Sequence, residues 1–215
     1  MSESIWKRPR PEALGPHDLY MLGLDISRYD YQSIYYNLLL TGQRVSEALK
    51  LRPKDFDYQI IYDERIEKDR PVLYVNSITL KNKKRKLRKI QVFDLVKYVK
   101  KDDKFITTPY WDVWKALEPR INKMGMYDKE INIWGNLSRQ NVESAFSKLE
   151  FTTRAYMPKK NKYKELKIRM YPHYLRHCRA TEWGKLLKPV QLAQQMGWSD
   201  LRMTMDYVDT PLPVF

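Results

Sequence analysis

Two runs of sequence, YPHYLRHCRATEW (171–183) and MGWSDLRMTMDY (196–207), decide how this chain is read. His173 and Arg176 are three residues apart and share one face of a helix. Pro172 suits the first turn of that helix, where no backbone N–H is needed. A second helix is expected over about 190–196, stopped by Gly197. Trp198 follows, and a last helix carries Tyr207. One stretch therefore supplies an imidazole, a permanent cation, an indole donor and a phenol.

A second run lies far upstream, TGQRVSE (41–47). From about Asp30 the apolar residues Ile34, Tyr35, Leu38 and Leu39 recur on one helical face. Gly42 is a natural stop for that helix. A further helix opens around Val45, so Arg44 stands near a helix N-terminus, where backbone N–H groups favour an anion.

These runs resemble the two boxes of the tyrosine recombinase (phage integrase) family. The family pattern is Thr-Gly-x-Arg-x-Ser-Glu, then His-x-x-Arg, a His or Trp, and a Tyr nine residues later. Arg44, His173, Arg176, Trp198 and Tyr207 match it in order. Two separated boxes in the right order are a far stronger signal than either alone. The resemblance spans roughly 31–208. It implies an α+β fold, a mainly helical catalytic domain with a small three-stranded antiparallel sheet.

The resemblance also implies a reaction. Tyr207 attacks a DNA phosphodiester, forms a covalent 3′-phosphotyrosine and frees a 5′-hydroxyl. The bond energy is retained, so neither ATP, metal nor any other cofactor is expected. Charge gathers on the non-bridging oxygens, and fixed cations are needed there. Arg44 and Arg176 suit that task, because a planar guanidinium binds two oxygens and keeps its charge. His173 is placed to accept the phenolic proton or hydrogen-bond the phosphate. Trp198 donates one hydrogen bond but cannot shuttle protons, so its expected role is positioning. Glu47, three residues after Arg44, is expected to orient Arg44 or His173. The departing 5′-oxygen needs an acid, and the family uses a hairpin Lys between the boxes. Lys81 matches that place best; Lys83 or Lys84 matches if the turn shifts in register. His177 reads as structural.

Composition supports a polyanionic partner. The 215 residues carry a net charge of +14, and each phosphate neutralised releases counterions. A charge run usually marks a solvated face. Here Lys83, Lys84, Arg85, Lys86 and Arg88 decorate a hairpin beside the boxes, and contact with double-stranded DNA phosphates is expected. The one cysteine, Cys178, excludes an intramolecular disulfide and a Cys-rich zinc site. With three His in the chain, no His-based metal cluster is expected. No secretory signal or membrane-spanning apolar run is visible, so an intracellular place is expected, cytoplasmic or in a host nucleoid or nucleus.

Along the chain, residues 1–25 read as a basic, proline-containing arm and 26–215 as the catalytic domain. Strands are expected over 58–62, 72–80 and 87–92, and helices over 94–101, 111–124 (with Pro119 interrupting) and 138–149. Residues 157–167 read as a Lys-rich loop. Family members usually carry an N-terminal core-binding domain; only 40 residues precede the first box here, so that domain is expected to be absent. Site pairing would then need a homo-oligomer, such as a tetramer on DNA, or a helper DNA-binding protein. Two rivals remain open: a type IB topoisomerase-like relaxing enzyme, and a DNA-binding accessory protein with a vestigial pocket.

Overall fold

A computed structural model describes residues 11–64, 66–81, 84–157 and 162–208, with backbone alone at 79–81 and 84–86. Helix α2 (Tyr29–Thr41) lies at its centre, with every residue from Ser33 to Thr41 buried. A helix buried on all sides needs partners on all sides. Those partners are α1 (Pro16–Leu24), α4 (Pro109–Tyr127), α5 (Arg139–Phe146) and α6 (Pro172–Gly184). Trp134 and Trp183, both fully buried, join the same core. Trp134 donates its indole N–H to Ser33 Oγ at 2.9 Å, so the buried Ser33 hydroxyl is paired inside the core.

The sheet has the antiparallel order β1 (Phe56–Asp63), β2 (Lys68–Lys81), β3 (Lys84–Val92). Its register runs from Phe56 opposite Val75 to Asp63 opposite Lys68, and from Leu73 opposite Val92 to Lys81 opposite Lys84. Arg88, Ile90 and Val92 alternate with more exposed neighbours, so one face of β3 turns inward. Helix α3 (Val45–Ala48), a single turn, packs on β2, and α7 (Pro189–Met196) packs on β3. Helix α8 (Arg202–Val208) packs against α6 and α7. No helix among the described residues is long and apolar enough to cross a membrane.

Four expectations need correction. Residues 94–101 are not a helix. Val96–Val99 form β4, paired antiparallel with β5 (Lys104–Thr107) around Asp103 at φ 49°. Leu95, Val96, Tyr98 and Val99 fit a helical period, but β-branched and aromatic residues with an available partner favour pairing.

Of the expected Lys-rich loop, residues 158–161 lie outside the described residues, and the rest is strand: Met157 ends β6 (Glu150–Met157) and 162–167 lie in β7 (Lys162–Arg169), which pairs with it antiparallel. Phe151, Thr153 and Ala155 point inward along β6 while their neighbours face solvent. The lysines of β7 are exposed, and Lys167 and Arg169 both pair with Glu150. Low apolar content therefore reflects a strand with one wet face.

Nor does the arm run to residue 25. Pro16–Leu24 form α1, whose Leu19 is buried and accepts a hydrogen bond from Tyr35 Oη at 2.9 Å. Just before it, the Glu12 carbonyl accepts from Tyr174 Oη at 2.6 Å and Thr153 Oγ1 at 3.0 Å. Residues 1–10 of the expected arm lie outside the described residues. Helix α4 runs through Pro119 without a break.

Candidate active site

Gly42 ends α2 in the left-handed conformation, φ 59° and ψ 19°, which glycine adopts without a Cβ penalty. That turn reverses the chain and aims the Gly42 carbonyl at α6. Arg176 reaches back to it, donating from Nη1 at 2.6 Å, and from Nη2 to the Met196 carbonyl at the end of α7. Arg176 is 3% exposed. Its guanidinium is thus fixed by both boxes, with no carboxylate hydrogen-bonded to it among the described residues. Burial, then the charges of Arg44 and Arg88, hold its pKa down to about 9. A cation under such stress is eased by an arriving anion.

Arg44 stands at the N-cap of α3, half-exposed, with its guanidinium open to solvent on one side. Glu47 holds it twice: Oε2 accepts from the Arg44 backbone N–H at 3.2 Å, and Oε1 from Nη1 at 3.1 Å. The four-residue helix therefore acts as a bracket for one side chain. Glu47 also accepts from Arg88 Nη2 at 2.9 Å.

Arg44, His173 and Arg176 line one cleft, together with Gln43, Val45, Ser46, Pro172, Arg139 and Glu143. The cleft joins the first box to the first turn of α6. His173 is exposed there. Arg139 and Glu143 are an ion-paired addition from α5 at 2.7 Å. Nothing in the boxes marked them; they reach the cleft only because α5 packs on α3 and α6.

Tyr207 lies beyond Arg176 and does not line that cleft. It is 8% exposed and close enough to Arg176 to interact with it electrostatically. Its ring stacks on Trp198 at 5.1 Å between centroids and 27° between planes, and tilts against His177 at 5.7 Å. Trp198 lies 5.8 Å from the Arg176 guanidinium carbon. The aromatic pair therefore walls the far side of Arg176. Helix α8 approaches so closely because α6 has Gly184 at the crossing, where a Cβ would come within 2.6 Å of the Tyr207 carbonyl oxygen. On its other side His177 Nε2 lies 3.1 Å from the Pro11 carbonyl oxygen, so this ring ties the N-terminal segment to the wall behind Tyr207.

The remaining expected residues divide. Lys81 and Lys84 are paired opposite each other near the tip of the β2–β3 hairpin, but their side chains, and those of Arg85 and Lys86, lie outside the described ones. Lys83 lies outside the described residues altogether. Arg88 is the correction: it is buried, not on an outer phosphate-contacting face. It falls on the inward phase of β3 with Ile90 and Val92, beneath Glu47. Cys178 is a buried free thiol that burial pushes up to about 12, an inert packing group.

No protein-family model and no curated protein sequence matches the chain. Solved structures do. The chain is similar to the XerH site-specific recombinase bound to difH substrate in a pre-cleavage complex, at 15% identity over 92% of this chain and 50% of that one, with TM-score 0.53. It is similar to the Tn1549 transposon integrase in complex with circular intermediate DNA, at 19% identity over 96% and 64%, TM-score 0.52. It is also similar to a lambda integrase dimer bound to a COC′ core site, at 16% identity over 100% and 65%, TM-score 0.54. The chain spans from half to about two thirds of the length of these proteins. Its fold is that of the tyrosine recombinase catalytic domain.

Proposed function

We propose that this chain is a catalytic portion of a site-specific DNA recombinase or integrase, cleaving and rejoining strands through Tyr207. The observation that carries this reading is the convergence of Arg44, His173 and Arg176 on one cleft, with Tyr207 stacked beside Arg176. These residues are separated by up to 163 positions in sequence, from Arg44 to Tyr207. A DNA-binding accessory protein has no use for such a set. Solved structures with this fold include DNA-bound recombinases and integrases, which agrees with DNA as the partner.

In the proposed reaction the scissile phosphate occupies the cleft, its non-bridging oxygens held by Arg44 and Arg176. Tyr207 Oη attacks phosphorus in line, forming a tyrosyl ester to the 3′-phosphate as the bond to the 5′-oxygen breaks. The phenolic proton passes to His173 or to solvent, and Lys81 supplies a proton to the departing 5′-oxygen. The reverse sequence, with a new 5′-hydroxyl, rejoins the strand. Trp198 keeps the Tyr207 ring beside Arg176 by stacking. Since Tyr207 is stacked on Trp198 and outside the cleft, α8 must shift to bring its Oη in line with the phosphate before attack.

The test is a pool of nicked suicide duplexes with randomised cores, followed by denaturing gels and peptide mapping of the adduct. A covalent 3′-adduct on Tyr207 is expected. An adduct on another residue, or none across the pool, would remove the reading. Relaxation of supercoiled plasmid without any recombinant product would move the assignment to a type IB topoisomerase-like enzyme.

A further inference from the structure

Arg88 is 7% exposed and sits between the two halves of the site. Above it, Nη2 donates to Glu47 Oε2 at 2.9 Å, and the other oxygen of that carboxylate accepts from Arg44. Beside it runs the turn that joins α7 to Trp198. A Cβ on Gly197 would come within 2.5 Å of Arg88 Nη1, and Gly197 itself sits at φ 64°. Glycine is therefore doubly required, by backbone conformation and by the guanidinium pressed against it. Across the ladder, Ser77 is directly opposite Arg88 and fully buried. Burial, opposed by Glu47 and reinforced by Arg44, lowers the pKa of Arg88.

Three guanidiniums, Arg44, Arg88 and Arg176, are thus gathered around one carboxylate, leaving a local excess of two positive charges. A protein that only needed stability gains little from this, since desolvating a cation among like charges is costly. The excess is useful where a phosphodiester and then a more highly charged transition state must be held. Arg88 does not line the cleft, so its action passes through others.

We propose that Arg88 is a positioning residue of the phosphodiester site: it clamps Glu47, through which Arg44 is aimed, and seats the Gly197–Trp198 turn. This rests on the reading of the cleft as a phosphodiester site. It differs from an outer DNA contact, because the loss on substitution should fall on the chemical step, not on duplex affinity. Arg88 keeps the Glu47 carboxylate in place for both hydrogen bonds to Arg44. Without it, Arg44, half-exposed, is the one ion-pair partner left to Glu47 among the described residues, and the carboxylate no longer holds one orientation.

The test compares wild type, Arg88→Met, Arg88→Lys and Glu47→Gln, each checked for melting temperature, in two assays. The first is single-turnover adduct formation at saturating protein on a nicked suicide duplex whose scissile bond is intact, alongside duplex affinity across a salt series. Arg88→Met should slow the step by roughly ten- to a hundredfold, the range for removing a residue that orients a functional group, with duplex affinity within about twofold. Arg88→Lys should show a smaller loss, at least about threefold, because a point charge cannot span Glu47 and the turn. In a Glu47→Gln background, Arg88→Met should add less than about threefold, since both act along one path. The second assay titrates inorganic vanadate into the DNA-free protein, read at the His173 imidazole by NMR. Arg88→Met should weaken vanadate binding about tenfold.

Lower melting temperature with unchanged rate and vanadate affinity would overturn the proposal in favour of a structural role. Lost duplex affinity with a salt slope smaller by about one and an unchanged rate would overturn it in favour of a phosphate contact. If wild type forms no adduct, the cleavage reading fails by itself, and the vanadate titration decides the role of Arg88. If Arg88→Met does not fold, Arg88→Lys decides: a rate and vanadate affinity equal to wild type would overturn the proposal.

Discussion

Arg176 donates a 2.6 Å hydrogen bond to the carbonyl of Gly42, a residue 134 positions earlier in the chain. That contact joins the two boxes physically. It exists because Gly42 turns left-handed at the end of α2, and because Arg176 stands one helical turn into α6. A second bond, to the Met196 carbonyl, fixes the other arm of the guanidinium.

Both arms are needed, so Arg176→Lys should be severely impaired although charge is kept. An ammonium cannot make two divergent bonds and still face a phosphate. Single-turnover adduct formation should fall by about a hundredfold or more, as for removal of one donor to a developing oxyanion. A rate within a few-fold of wild type would remove Arg176 from the clamp.

Tyr207→Phe retains the ring that stacks on Trp198 and loses only the oxygen. Covalent adduct should vanish on denaturing gels, while duplex affinity stays within about twofold, because no contact to the phosphate backbone is deleted. Adduct persisting in this variant would mean another nucleophile.

Lys81→Ala should be slow on an ordinary phosphodiester and recover on a substrate with a bridging 5′-phosphorothiolate. Sulfur departs without a proton, so a missing general acid then matters little. Recovery with Lys83→Ala or Lys84→Ala, and not with Lys81→Ala, would reassign the acid within the hairpin.

Asp94→Ala tests the frame behind the site. Arg179 is completely buried, makes two 2.7 Å bonds to the Asp94 carboxylate and lies 3.7 Å from the Tyr110 ring centroid. Removing the acid leaves a buried cation without its counter-charge, at a cost of about 3–5 kcal/mol. Urea denaturation of the DNA-free protein should show it. A loss below about 1 kcal/mol would mean that the Leu40 carbonyl and the flanking rings suffice to hold Arg179.

Duplex binding by this chain should weaken steeply with salt, on random sequence as well as on any preferred site. A net charge of +14 acts mainly through phosphates. Filter binding across a salt series checks this; salt-independent binding would point to apolar or base-edge recognition instead.

Much of this site was legible in the chain itself. Gly42 marked the end of α2, Pro172 the start of α6 and Gly197 the end of α7, all by backbone preferences that belong to single residues. The spacing of His173 and Arg176 implied a shared face, and both do line one cleft. The phase of β3 is legible as well: Arg88 alternates with Leu87 and Lys89 in step with Ile90 and Val92, which puts it on the inward face although it belongs to a run of positive charges.

What tertiary structure alone decided depends on partners distant in sequence. Residues 94–101 have a helical period, yet β5 was there to pair with Val96–Val99. Residues 162–169 lack apolar content, yet β6 supplied a ladder and Glu150 an ion pair. Strand pairing is a contract between two segments, so neither segment announces it alone. The same reason governs the site. Local preference could place Arg44 at a helix start and Arg176 on a helix. Only packing of α3, β3, α6 and α7 around α2 could set three guanidiniums about Glu47, because like charges approach so closely only when the surrounding core holds them there.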